Sequence, residues 1–274
     1  MSFIKFINAL LFTVLILMVA AAGCAIAGPS MRSSMRPSMV CAPDNDIAAK
    51  MKEVAGLSVG KKIVLWAEHF IGTPYDTDPL GAYVRQKKVV CDKEIDCMYL
   101  VFRAVELALS DKPEDAAKQA LRLRFKTEGR LSEGEVTNYE ERFDYAEDMV
   151  ISGKWGEDVT KSLGAVKEVA GSRGHGPYTY IPKNELLKPE NYPKLVDGDI
   201  IFFVKDPAGR VVEEVVGHEG IIKAGACGGH PMLIHASGSK AVNGKPGGGV
   251  VKEVNLVDYV SKMKFIGAMV TRFN

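Results

Sequence analysis

The hydrophobic rhythm of the chain changes at Asp197-Gly198-Asp199. Before that turn, apolar residues mostly recur at helical spacing. After it they come in short runs and alternations of strand length. Ile200-Ile201-Phe202-Phe203-Val204 is an unbroken apolar run behind a turn, which predicts a buried strand. Further strands are expected over 215–223, 231–236, 247–254 and 265–273, with a short helix over 256–263. Helices first and an antiparallel sheet after them is an α+β order.

Upstream, Ser58 can cap a helix over 59–70, which stops at the breaker Gly72-Thr73-Pro74-Tyr75. Cys97 to Leu109 reads as a core helix ended by Asp111-Lys112-Pro113. Residues 114–121 are expected as helix, 121–127 as a short strand and 139–151 as an amphipathic helix. Residues 155–161, 171–176 and the stretch opened by Ile181-Pro182 are expected as loops.

Lys plus Arg number 35 and Asp plus Glu 34, so no excess of positive charge points to nucleic acid. The five cysteines, Cys24, Cys41, Cys91, Cys97 and Cys227, are odd in number and irregularly spaced, unlike a disulfide framework. A bridge from Cys91 to Cys97 across a loop is conceivable and would disable Cys97. No close Cys-x-x-Cys pair favours a zinc site.

Residues 1–27 read as a targeting segment, with Lys5 ahead of an apolar stretch that ends in small residues. Ala21-Ala22-Gly23-Cys24 is similar to a bacterial lipobox, in which Cys24 would be lipidated and become the first mature residue. Cleavage after Ala25-Ile26-Ala27 and retention as a signal anchor are the alternatives. All three put the rest of the chain outside the cytoplasm, in the cell envelope. Residues 28–45 lack periodicity and read as a flexible tether, and the folded domain is expected over 46–274.

Cys97 carries the first chemical signal. A thiol in the first turn of a helix feels the positive end of the helix dipole, which favours the nucleophilic thiolate. A buried cysteine there can also be plain packing. The second signal is His218, set in the apolar strand Val215-Val216-Gly217-His218-Glu219-Gly220-Ile221-Ile222. Alternation puts Val216, His218, Gly220 and Ile222 on one face and Glu219 on the other. If Lys223 pairs with His230 across the next turn, His218 falls directly opposite His235. Opposed side chains lie about 4.5–5.5 Å apart at Cβ, so one imidazole can orient the other. A nucleophile, a base and an orienting group make the logic of a catalytic triad. His69, His175 and His230 receive no role.

The order Gly72-Thr73-Pro74-Tyr75, Asp96-Cys97, Gly198-Asp199-Ile200-Ile201, Gly217-His218-Glu219-Gly220-Ile221 and Ile234-His235-Ala236-Ser237 resembles the NlpC-type papain-like cell-wall peptidases. More narrowly it resembles their N-acetylmuramoyl-L-alanine amidase-like branch. Gly156-Glu157-Asp158-Val159-Thr160 and the closing strand to Arg272 fit that branch too. The resemblance spans about residues 66–272. It implies a papain-like domain with a helical insertion at about 110–195. It implies Cys97 as nucleophile, His218 as base and His235 as the orienting member, with Tyr75 and Asp96 on the substrate side and no cofactor or metal. Arg142 is a candidate to hold a substrate carboxylate, since arginine binds one bidentately. Two positions depart from the branch: Tyr99 stands where threonine is usual, and Asn138–Phe143 follows the branch's arginine-containing helix only loosely.

The activity implied is hydrolysis of an amide bond in peptidoglycan or muropeptides. The same scaffold would also suit a lipid amidase or acyltransferase, and a non-catalytic envelope protein that binds cell-wall fragments is the alternative of another class. The expected partners are peptidoglycan fragments and, through a lipid anchor, the membrane.

Overall fold

The computed structural model describes residues 45–133, 135–210, 213–225 and 229–274. The targeting segment with Cys24, the tether up to residue 44, Cys41 and Cys227 lie outside the described residues, and Asn45, expected in the tether, opens the first helix. Among the described residues the fold is α+β. Its helices are α1 (Asn45–Glu53), α2 (Val59–His69), α3 (Ala82–Arg85), α4 (Cys97–Ala108), α5 (Pro113–Leu123) and α6 (Ala146–Ser152) in the first part, then α7 (Thr160–Leu163), α8 (Lys183–Leu186) and α9 (Leu256–Lys262). A hairpin of β1 (Leu131–Ser132) and β2 (Glu135–Val136) stands apart from the main sheet.

The main sheet has eight strands: β3 (Glu157–Asp158), β4 (Lys167–Val169), β5 (Tyr178–Pro182), β6 (Ile200–Lys205), β7 (Val216–Lys223), β8 (Met232–Ser239), β9 (Gly248–Asn255) and β10 (Phe265–Arg272). Their order is β4-β5-β10-β6-β7-β8-β9, with β3 paired to the end of β10, and every pairing is antiparallel. Residues 110–195 are therefore not a purely helical insertion. They supply β3, β4 and β5 to the main sheet, because Tyr178, Tyr180 and Ile181 bury themselves against β10 and its neighbours.

The unbroken run in β6 has a physical reason: both faces of the sheet are covered. Ile200, Phe202 and Val204 join a cluster with Trp66, Tyr99, Phe102 and Trp155 under α2 and α4. Ile201 and Phe203 join the opposite cluster with Leu163, Leu186, Leu256 and Val260 under α7, α8 and α9. A strand buried on both faces has no polar alternation to show.

Besides Ile181-Pro182, which closes β5 instead of opening a loop, three local expectations fail. Residues 121–127 are not a strand: α5 runs on to Leu123, and Phe125 makes only an isolated bridge to Arg142. Residues 139–151 are not one helix. A 3-10 turn at Tyr139–Glu141 gives way to extended chain at Arg142 before α6 begins at Ala146. Residues 155–161 hold β3 and the start of α7 rather than only loop.

Candidate active site

Asp96 caps α4, its Oδ1 accepting the Tyr99 N–H at 2.9 Å. That sets Cys97 as the first residue of the helix, where backbone N–H groups have no internal acceptor. Cys91 and Cys97 are both thiols, with no bridge between them. Tyr99, which stands where the amidase-like branch usually has threonine, has a structural role here. Its hydroxyl donates to Asp92 at 2.8 Å and accepts the Cys91 N–H. Arg103 grips the same Asp92 at 2.7 and 2.8 Å. The segment leading into Cys97 is thereby tied to the buried body of α4.

Tyr75 reaches the same place from another direction. Its N–H donates to Gly249 O at 2.9 Å on β9, and Pro74 O accepts from Ile95 N at 2.9 Å. The Gly72–Tyr75 segment thus lies along the outer edge of β9 while its other side holds the residue before Asp96. A Cβ on Gly238 would stand 2.2 Å from Tyr75 Cγ, so the ring sits where only a glycine leaves room.

His218 and His235 meet. His218 Nε2 lies 2.8 Å from His235 Nδ1, and the rings are close to perpendicular at a 5.0 Å centroid distance. The register that brings them together differs from the one expected. Lys223 pairs with Met232 and Ile221 with Ile234, a slip of two residues from the Lys223–His230 pairing. A slip of two keeps every side chain on its face, whereas a slip of one would have reversed them. The histidines therefore meet diagonally, and Gly220 takes the space directly beside His235: a Cβ there would lie 3.1 Å from His235 Cβ.

A second correction concerns β7. The β6–β7 register shifts between Phe203 and Val204, so Gly217 has no partner and makes a bulge. Val216 therefore packs in the cluster under α4 instead of sharing the face of His218. The bulge is held by Glu147 of α6, whose carboxylate accepts the N–H groups of Val215 and Val216 at 3.0 and 3.2 Å.

Cys97 and His218 line one cavity of about 240 Å³, together with Asp96, Arg142 and Lys240 among others. Tyr259 of α9, which sequence reasoning missed, packs on both imidazoles, with centroids 4.8 Å from His235 and 6.0 Å from His218. Lys240 was missed as well. It donates to Asp96 Oδ2 at 3.0 Å and sits 5.4 Å from the Tyr75 ring centroid. No local pattern marks either residue; only the fold brings them in. Asp96 thus has one oxygen committed to the cap and the other to Lys240. Arg142 is on the cavity wall, paired with Asp144 at 2.7 Å.

Burial lowers His218 to about 4. Burial, then His218 and Lys252, lower His235 to about 3. Both imidazoles are neutral at neutral pH. The expectation of a thiolate at rest is overturned. Burial pushes the Cys97 thiol up, and the charges of Asp96 and, where it is ionised, Glu219 push it further. The Glu219 main chain and Lys240 pull the other way without prevailing. The helix-end effect is worth about 0.3–1 kcal/mol at an exposed site, which desolvation of this half-buried thiol, with the carboxyl groups beside it, exceeds. At rest the cavity thus holds a thiol at Cys97 and a neutral imidazole at His218.

No family model matches the chain, and no curated protein matches it. Solved structures do share its fold. An N-acetylmuramoyl-L-alanine amidase from Bacteroides uniformis is 22% identical with a TM-score of 0.58, over 78% of this chain and 98% of that one. A candidate xylanase from Bacteroides fragilis is 23% identical with a TM-score of 0.56, over 76% and 100%. A Legionella pneumophila protein of the DUF1460 family is 16% identical with a TM-score of 0.60, over 82% and 92%. The chain shares the α+β fold of these structures. The different activities in those names leave the chemistry to be argued from the site.

Proposed function

We propose that the chain is a papain-like, NlpC-type cysteine hydrolase that cleaves an amide bond in peptidoglycan or muropeptides, at the muramoyl–alanine link or within the stem peptide. The observation that carries this reading is the 2.8 Å contact of His218 with His235 on the cavity that Cys97 also lines. That contact uses Nε2 of His218 and leaves Nδ1 for the sulfur. With its proton on Nε2, His218 donates to His235 Nδ1 and offers a lone pair at Nδ1. His235 then carries its own proton on Nε2.

The reaction follows from these protonation states. The substrate amide enters the cavity beside Cys97. His218 takes the thiol proton as the sulfur attacks the carbonyl carbon, so no standing thiolate is needed. The oxyanion is met by N–H groups of the first turn of α4, that of Cys97 among them. His218 returns the proton to the leaving amine, and water, deprotonated by the same imidazole, releases the acyl group from the sulfur. Tyr75, Asp96 and Arg142 stand on the substrate side. In this reading residues 1–27 are the export signal, Cys24 carries the lipid, and the domain over 46–274 works in the cell envelope.

Cys97→Ser tests the proposal. The variant is expected to fold and to lose cleavage of purified muropeptides by about three orders of magnitude or more. Undiminished turnover overturns it. Lipid amides and glycans assayed alongside separate the lipid amidase and acyltransferase alternative. A second reading is favoured by the upward push on the half-buried Cys97 thiol: a non-catalytic envelope protein that binds cell-wall fragments. Muropeptide binding with no turnover in the unaltered protein would decide for it.

A further inference from the structure

Four carboxyl side chains line the cavity shared by Cys97 and His218: Asp96, Asp144, Glu214 and Glu219. Three have a cation in contact, namely Lys240 on Asp96, Arg142 on Asp144 and Lys205 on Glu214. Glu219 has none. It is 1% exposed, and neither of its side-chain oxygens has a hydrogen-bond partner among the described residues. A carboxyl taken out of water with no partner keeps its proton rather than its charge.

The surroundings of Glu219 reinforce that. The start of α4 presents Asp96 and Cys97, and α6 presents Glu147, which is already tied to Arg173 and to the N–H groups of Val215 and Val216. Across the ladder β6 offers Phe202, and β8 brings apolar Ala236 to the same cluster. The Glu68 side chain of α2 is paired with Lys223 at the far end of β7, and His218 turns to the opposite face. The neighbouring cations, Lys240 and Arg173, are already paired. Burial, then Asp96 and Glu147, hold Glu219 well above the ordinary carboxylate range. It lines the same cavity as Cys97, and its main chain and its carboxylate act on the Cys97 thiol in opposite senses, the first holding it down and the second pushing it up. One residue on the wall of the cavity thus acts on the sulfur both through its backbone and through a group that can gain or lose a charge.

We propose that Glu219 is a positioning residue that sets the charge state of Cys97. With its proton on, its backbone N–H supports negative charge on the sulfur. With its proton off, its carboxylate opposes that charge, and the site shuts down as pH rises. This rests on Cys97 as the nucleophile but concerns only the proton on the sulfur, so it can be tested without turnover.

The experiment follows the rate of Cys97 alkylation by iodoacetamide against pH in the full protein, in Glu219→Gln and in Glu219→Ala, with peptide mapping to separate Cys97 from the other cysteines. Infrared spectroscopy at neutral pH should find a protonated carboxyl band that Glu219→Gln removes. Both variants should lower the Cys97 midpoint, so that at a fixed pH below it but above the point where Glu219 gives up its proton alkylation is at least about threefold faster, with little change at neutral pH. An unmoved or raised midpoint in Glu219→Gln overturns the proposal. So do opposite shifts in the two variants, which would assign the effect to side-chain volume. A lowered midpoint with no muropeptide cleavage keeps this inference and removes the hydrolase reading; cleavage with an unmoved midpoint does the reverse.

Discussion

Asp96 does two things with one side chain, and two substitutions separate them. Its Oδ1 caps α4 and its Oδ2 pairs with Lys240, while its charge opposes a thiolate on Cys97. Asp96→Ala removes the cap, worth about 1 kcal/mol. It also removes a partly buried ion pair whose exposed counterparts are worth about 0.2–1 kcal/mol. The sum, about 1–2 kcal/mol, should lower the melting temperature by about 2–8 °C in a domain of this size. Asp96→Asn keeps the cap, since asparagine caps about as well as aspartate, and should cost under about 1 kcal/mol. Both remove the negative charge and release Lys240 beside the sulfur, so both should lower the Cys97 midpoint and speed alkylation at a fixed pH. Differential scanning calorimetry reads the first effect, and iodoacetamide kinetics with peptide mapping reads the second. If Asn and Ala destabilise equally, the cap is not what Asp96 contributes. If alkylation slows, the electrostatic reasoning is wrong.

Glu147→Ala should destabilise the fold by about 3 kcal/mol in urea titration, because it strips two buried backbone N–H groups and Arg173 of an acceptor at the β7 bulge. Gly220→Ala should reduce kcat/KM about tenfold to a hundredfold with a native circular dichroism spectrum, since its Cβ would stand 2.8 Å from Ile234 O and 3.1 Å from His235 Cβ. With His218 at about 4, the acid limb of kcat/KM should fall near pH 4 to 5, not near 6.5. For stability the sign is as follows: between about 6.5, where an unfolded histidine titrates, and about 4 the unfolded chain binds a proton that native His218 refuses, so stability should fall as pH falls through that window. His235, at about 3, works in the same direction.

The strands of the last third were legible because their apolar runs are bounded by turn residues, and α2 and α4 because breakers follow them. The pairing of His218 with His235 was legible as a shared face but not as a register: the turn after Lys223 takes a length its composition does not dictate. The bulge at Gly217 is invisible in the alternation and shows only once Glu147 is folded against it. β5 was lost because Ile181-Pro182 reads as a breaker, yet Pro182 ends the strand rather than preventing it. The protonation state of Cys97 was misjudged for a simpler reason. A sequence reveals the helix end and its favourable field, but not how much water the fold removes from the sulfur.

The most direct test of the account is intact-protein mass spectrometry of the protein quenched during incubation with a purified muropeptide. An added mass equal to the acyl portion, mapping to the peptide that contains Cys97, released by hydroxylamine and absent from Cys97→Ser, is the predicted result. Product accumulating with no such adduct, while Cys97→Ser turns over as fast as the unaltered chain, would contradict it.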